Sequence, residues 1–127
     1  MIQIQHFQSF SISNIRFLDD MESLELETID TCPPYQTGFM RFNGVLWLSV
    51  SRDNCGPGPH TVCDMTIDCP PDYEAVHRLA TFGYAFKSSL GAIPSGLMFA
   101  HMEGDICGDI VAQRVAVRLN RVGGDED

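Results

Sequence analysis

Positive charge is scarce in this chain. Its 127 residues include eight basic side chains against 17 acidic ones, seven of the eight are arginine, and the formal net charge is −9. Binding to a nucleic-acid backbone depends on Lys and Arg neutralising phosphates, so that class of function is disfavoured. Long apolar runs are missing too: no segment approaches the roughly 18 residues of a membrane-spanning helix. The opening Met1 to Phe7 has neither a basic leader nor a continuous apolar stretch, which leads us to expect a cytoplasmic protein without membrane contact. Familiar catalytic signatures are also absent: there is no phosphate-binding glycine loop, dinucleotide fingerprint, HExxH, GxSxG or EF-hand loop. No linker, low-complexity run or fixed-period repeat divides the chain, so residues 1–127 are expected to form a single domain, with 122–127 as an acidic tail.

The 44% hydrophobic content is enough for a core without covalent staples. An odd count of five cysteines, with no export signal, points to reduced thiols or metal ligands instead of a disulfide framework.

Alternation marks several strands. Ile2 and Ile4 alternate with Gln3 and Gln5, and the extended pattern continues through Phe10 and Ile12; Ser13-Asn14 then offers a turn or cap before a short helical stretch from Ile15 to Met21. Leu24, Leu26 and Thr28 alternate with Glu25 and Glu27, the pattern of a half-buried strand with an acidic solvent face. The run from Gly38 to Val50 reads as two strands joined at Asn43-Gly44, the preferred pair for a type I′ hairpin turn. Thr61 to Cys69 reads as a further strand. The tripeptides Cys32-Pro33-Pro34 and Cys69-Pro70-Pro71 should each end one, because proline cannot donate to a ladder.

Pro70 or Pro71, followed by Asp72 and Glu74, has the chemistry of a helix N-terminus. Val76, Leu79, Ala80, Gly83, Phe86 and Leu90 predict the inner face of one long helix. On that face Phe82 and Tyr84 cannot both fit, so one is expected to be exposed as a binding anchor, and Tyr84 is the candidate. Leu97 to Met102, a loop over Glu103 to Gly108, and a strand from Ile110 to Val122 complete the order. The expected fold class is α+β: an antiparallel β-sheet of about five to seven strands with one main α-helix packed on one face.

Chemistry concentrates in Cys55-Gly-Pro-Gly-Pro-His60-Thr-Val-Cys63 and on to Cys69. Thiolate sulfur and imidazole nitrogen are the ligands zinc prefers, so Cys55, His60, Cys63 and Cys69 form a candidate metal site. Cys63 and Cys69 would lie about 20 Å apart on a straight strand, so that site requires the strand to be broken. The alternative is that Cys63 is a small buried hydrophobe and Cys55 a loop residue. Cys69 precedes a helix N-terminus, where a thiol can be activated, although Asp68, Asp72 and Glu74 oppose its ionisation. His101 lies near Glu103, Asp105 and Asp109, either as an acid–base or metal group or simply as a strand histidine paired with a carboxylate. Arg114 and Arg118 share one strand face, to grip an anion or to pair with acids on the adjoining strand.

Acidic residues cluster in two segments, Asp19, Asp20, Glu22, Glu25, Glu27 and Asp30, and then Asp64, Asp68, Asp72 and Glu74. Size, charge and lack of a catalytic motif are shared with small acidic inhibitors of the immunity-protein and phage anti-defence kinds, a class-level likeness. The leading expectation is a protein-binding inhibitor that masks a basic site on its partner through these two segments, with no cofactor. The alternatives are a small enzyme or ligand-binding protein using the Cys/His region, and a homo-oligomeric subunit, for which an uncovered strand edge would be the sign.

Overall fold

The structure, a computed structural model, describes residues 4–18, 22–31, 33–52, 60–84 and 93–119. Six strands and one helix run in the order β1 (Ile4–Phe17), β2 (Leu24–Asp30), β3 (Thr37–Arg52), β4 (His60–Asp68), α1 (Asp72–Phe82), β5 (Met98–Gly104) and β6 (Ile106–Leu119). The strands are antiparallel throughout and close into a barrel in the order β1-β2-β3-β6-β5-β4. The expected antiparallel sheet with one helix is present, and closure is the feature that sequence periodicity did not carry.

Alternation builds the interior. Leu24, Leu26 and Thr28 of β2 point inward as their spacing predicts, and across the ladder they lie opposite Phe42, Met40 and Gly38 of β3. Phe10, Ile12, Met65, Ile67, Ala100, Met102, Ile106, Ile110 and Ala112 fill the rest of the barrel. Methionine suits this role, because its flexible unbranched thioether fills irregular space between branched side chains. A barrel of this size is a packed core and not a channel.

Three stretches depart from expectation, one of them Glu103 to Gly108, which is not a loop because β5 runs to Gly104 and β6 begins at Ile106. Ile15 to Phe17 are not helical: β1 continues to Phe17, with Phe17 opposite Leu24, and absorbs Ser13 as a register shift between Ile12 and Asn14. Asn43-Gly44 does not turn the chain either. β3 runs through it and pairs with β6 along its length, with a register shift between Val45 and Trp47. The positive φ of 65° that Gly44 supplies serves this irregularity within the strand. Both cysteine-proline tripeptides do follow strand ends, at Asp30 and Asp68.

Asp72 and Glu74 open α1 after Pro71, as expected, but the helix is shorter than its apolar spacing predicts. Gly83 adopts φ 95°, its N–H donates to the Ala80 carbonyl, and the Tyr84 N–H donates to that of Leu79. This is a Schellman stop, which a residue with a Cβ disfavours. The buried face is Ala75 and Leu79 with Phe82, one position away from the expected Val76 face; Val76 is exposed. Helix and barrel meet in a second apolar cluster of Ala75, Leu79, Leu97, Phe99 and Val111, flanked by Leu46, Trp47, Phe82 and Tyr84. Trp47 stacks on Phe82 at 5.9 Å between ring centroids. Burying Leu79 there is worth about 1.5–3 kcal/mol. Among the described residues no helix is long and apolar enough to cross a membrane.

Candidate functional site

The outer face of β4, β5 and β6 gathers titratable side chains from three strands. Strand parity places His101 and Glu103 outward on β5, between inward Ala100 and Met102. The register sets Asp64 of β4 opposite Glu103, and Thr66 opposite His101. On the other side of β5, Asp109 of β6 lies opposite His101. The imidazole is held at both nitrogens: Nδ1 lies 2.9 Å from an Asp109 carboxylate oxygen and Nε2 lies 3.1 Å from one of Glu103. The hydrogen bond to Asp109 is the main cause that raises the His101 pKa above its ordinary 6.5; burial opposes it and Glu103 reinforces it. This is the carboxylate-paired strand histidine that the sequence allowed for. Both ring nitrogens face carboxylates, an arrangement that favours the protonated ring.

Beside this face stands the start of α1. Arg78 donates to Glu74 at 2.6 Å and to Asp68 at 3.1 Å, while its guanidinium lies 5.2 Å from the Phe99 ring centroid. Asp72 accepts from the Ser95 hydroxyl at 2.7 Å and from the Gly96 N–H at 3.1 Å, and these bonds hold its pKa below 3.8. Asp68, Asp72 and Glu74 thus tie helix, strand and loop together. Between Asp72 and Glu74 projects Tyr73, 73% exposed. Tyr84, the expected anchor, instead packs half-buried beneath the helix, because the chain turns at Gly83 and leaves the helical periodicity. Tyr73 was legible in principle: it lies two positions, about 200° of helical rotation, from the buried Ala75.

The first acidic segment lies elsewhere and is largely used within the molecule. Glu25 is nearly buried and pairs with Arg16 at 3.2 Å and with Arg41 at 3.7 Å, while Glu27 meets Arg16 at 3.5 Å. Glu22 is exposed, and its carbonyl accepts from the Val45 N–H. Asp19 and Asp20 lie outside the described residues, as does Cys55.

The backbone of β4 holds two of the candidate metal ligands, Cys63 and Cys69, apart. β4 is continuous from His60 to Asp68, with one register shift between Val62 and Asp64, so the backbones at Cys63 and Cys69 stay about 20 Å apart. Among the described residues no group of three or more His, Cys, Asp or Glu side chains is placed to hold a metal. Cys69 is a half-buried free thiol, and no hydrogen bond joins it to a histidine among the described residues. A second free thiol, Cys107, lies 3.4 Å from the Ser51 hydroxyl. Arg114 and Arg118 do share the outer face of β6, but their cross-strand neighbours are Asn43 and Phe39, and neither forms an ion pair among the described residues. Glu25, Glu27, Asp68 and Glu74 pair with Arg16, Arg41 and Arg78.

No protein-family model and no curated protein matches the chain. Among solved structures, the crystal structure of an uncharacterized protein from Neisseria gonorrhoeae is similar, with a TM-score of 0.59 and 15% identity over 94% of this chain and 99% of that one. At that identity the likeness concerns the fold.

Proposed function

We propose that the chain is a small acidic binding domain of the inhibitor type, which covers a basic site on a protein partner. The surface we assign to this role is the outer face of β4 to β6 together with the first turn of α1. The observation that carries the reading is the placement of Asp64 directly opposite Glu103, with Asp109 one strand further on. Together with Asp68, Asp72 and Glu74 around the start of α1, these carboxylates give the face an acidic field that steers the Lys and Arg side chains of a partner toward it over the distance the field reaches. Tyr73 supplies the exposed aromatic anchor such an interface needs, flanked by carboxylates.

The competing enzyme reading asks for Cys69, His101, Arg114 and Arg118 around one concavity. Asp109, the partner of His101, and Arg114 are five residues apart on β6, about 17 Å along the strand, and the barrel interior is filled by apolar side chains. The arrangement favours binding over catalysis.

The test is affinity capture from the source cell at low and high salt, with the wild type, Tyr73→Ala, and a double charge reversal of Asp64→Lys with Glu103→Lys. A protein that is retained at low salt, released at high salt, and lost with both variants supports the proposal. Capture that is indifferent to salt and to both variants refutes it.

A further inference from the structure

β3 is longer than the partner on one of its sides. β2 pairs with it only from Thr37 to Phe42, and a single further bond joins the Val45 N–H to the Glu22 carbonyl. From Leu46 to Arg52, β6 is its one neighbour among the described strands. Every second residue of this stretch therefore turns its N–H and C=O toward an edge that no described strand covers.

Such edges are ordinarily guarded by charge, proline or irregularity. This one has an irregularity only where it begins, at the register shift between Val45 and Trp47. Leu46-Trp47-Leu48-Ser49-Val50-Ser51 has no ionisable side chain, proline or glycine, and Leu48 is 36% exposed. Among the described strands, single-sided stretches also occur on β1, at Ile4 to Gln8 and at Asn14 to Phe17, and on β6 beyond its last pairing with β5 at Ala112, where the edge is guarded. Two copies joined there antiparallel about Ala116 would set Arg114 against Arg118. In a chain of net charge −9, the neutral β3 edge is where a second copy can approach without opposing charges.

We propose that the β3 edge from Leu46 to Ser51 is a self-association surface, pairing antiparallel with the same edge of a second copy about a two-fold axis. A register centred on Ser49 sets Leu48 against Val50 of the second copy on the inner side and serine against Trp47 and serine on the outer. The sheet β4-β5-β6-β3 then continues unbroken into its symmetry mate. Backbone bonds supply the affinity and side-chain parity sets the register. This inference stands apart from the acidic face, and salt separates the two: screening weakens capture of a basic partner but strengthens contact between two acidic chains through a neutral strip.

The experiment is sedimentation velocity over a wide concentration range, with the wild type, Leu48→Lys, Ser49→Lys and Arg114→Glu. The wild type is expected to reach twice the 14.1 kDa chain mass, at lower concentration as salt rises. Each lysine should raise the dissociation constant at least about tenfold, the equivalent of about 1.4 kcal/mol, while Arg114→Glu leaves it unchanged. Hydrogen exchange on the unmodified chain provides a readout independent of any variant: the amides at 46–51 should gain protection as concentration rises. The proposal is overturned by a wild type that stays at the single-chain mass, by a dimer indifferent to both lysines, or by assemblies larger than a dimer that dissolve with Arg114→Glu. That last outcome would mean head-to-tail pairing of the β3 and β6 edges.

Discussion

Gly108 sits where β6 passes closest to β3, opposite Val50 on one side and Met102 on the other. A Cβ added there would lie 2.0 Å from the Ser49 carbonyl oxygen and within 3 Å of the Val50 Cα, both backbone atoms of the neighbouring strand. Backbone cannot swing aside as a side chain can, so Gly108→Ala must push β3 and β6 apart. Gly83 separates this collision from conformational strain. It also has positive φ, yet a Cβ there would meet nothing within 4 Å. Gly83→Ala should therefore cost only the backbone term, about 1–2 kcal/mol. Gly108→Ala adds overpacking of about 1–3 kcal/mol to a similar term, about 3 kcal/mol or more in all. Against a total stability of about 5–15 kcal/mol, that is a large fraction. Urea unfolding of the wild type and both variants measures the difference, with the midpoint of Gly108→Ala well below that of Gly83→Ala at similar slope. Equal midpoints would refute the close approach of β3 and β6 and the register that produces it.

The helix register is tested by Leu79→Ala, expected to lose about 2–5 kcal/mol on thermal or urea unfolding, against Val76→Ala, expected to stay within about 0.5 kcal/mol because Val76 is exposed; equal losses would restore the Val76 face. For His101, the raised folded-state pKa means that its contribution to stability is complete below the unfolded value and is lost as pH rises through the folded one. Asp109→Asn should lower the ring's pKa in an NMR titration, and His101→Gln should flatten stability across that window; an unmoved titration would count against the contact. For Asp72 the sign is opposite: its depressed pKa contributes stability present above the unfolded value and lost as pH falls through the folded one. Asp72→Asn should therefore blunt the acid limb of unfolding, and an unchanged limb would show that the ties to Ser95 and Gly96 do not hold the loop.

Much of the local structure was legible before any coordinates. The alternation of Leu24, Leu26 and Thr28, the strand ends before both cysteine-proline tripeptides, and the helix start at Asp72 each depend on a few adjacent residues, through side-chain parity, proline geometry and the helix dipole. The pairing of His101 with a neighbouring carboxylate was visible because its candidates lie within eight residues. Asn43-Gly44 shows where that reach ends: positive φ serves a hairpin and a strand irregularity equally well, and a partner strand some 70 residues away decided between them. Tyr84 lies off the helical periodicity because Gly83 ends the helix, and Val76 is exposed because the helix packs on the barrel through Ala75 and Leu79.

By itself, then, the chain's composition and short-range pattern determined a strongly acidic balance and an order of several strands with one helix. Only the tertiary structure decided that the sheet closes into a barrel, which acids are taken up by Arg16, Arg41 and Arg78, that Arg114 and Arg118 stay outside those pairs, and that β3 outruns β2 among the described strands. The physical reason is that parity and capping act within a turn or two of chain, whereas ion pairs form where one strand or helix is laid against another, and the partner that β6 provides for β3 comes from dozens of positions away.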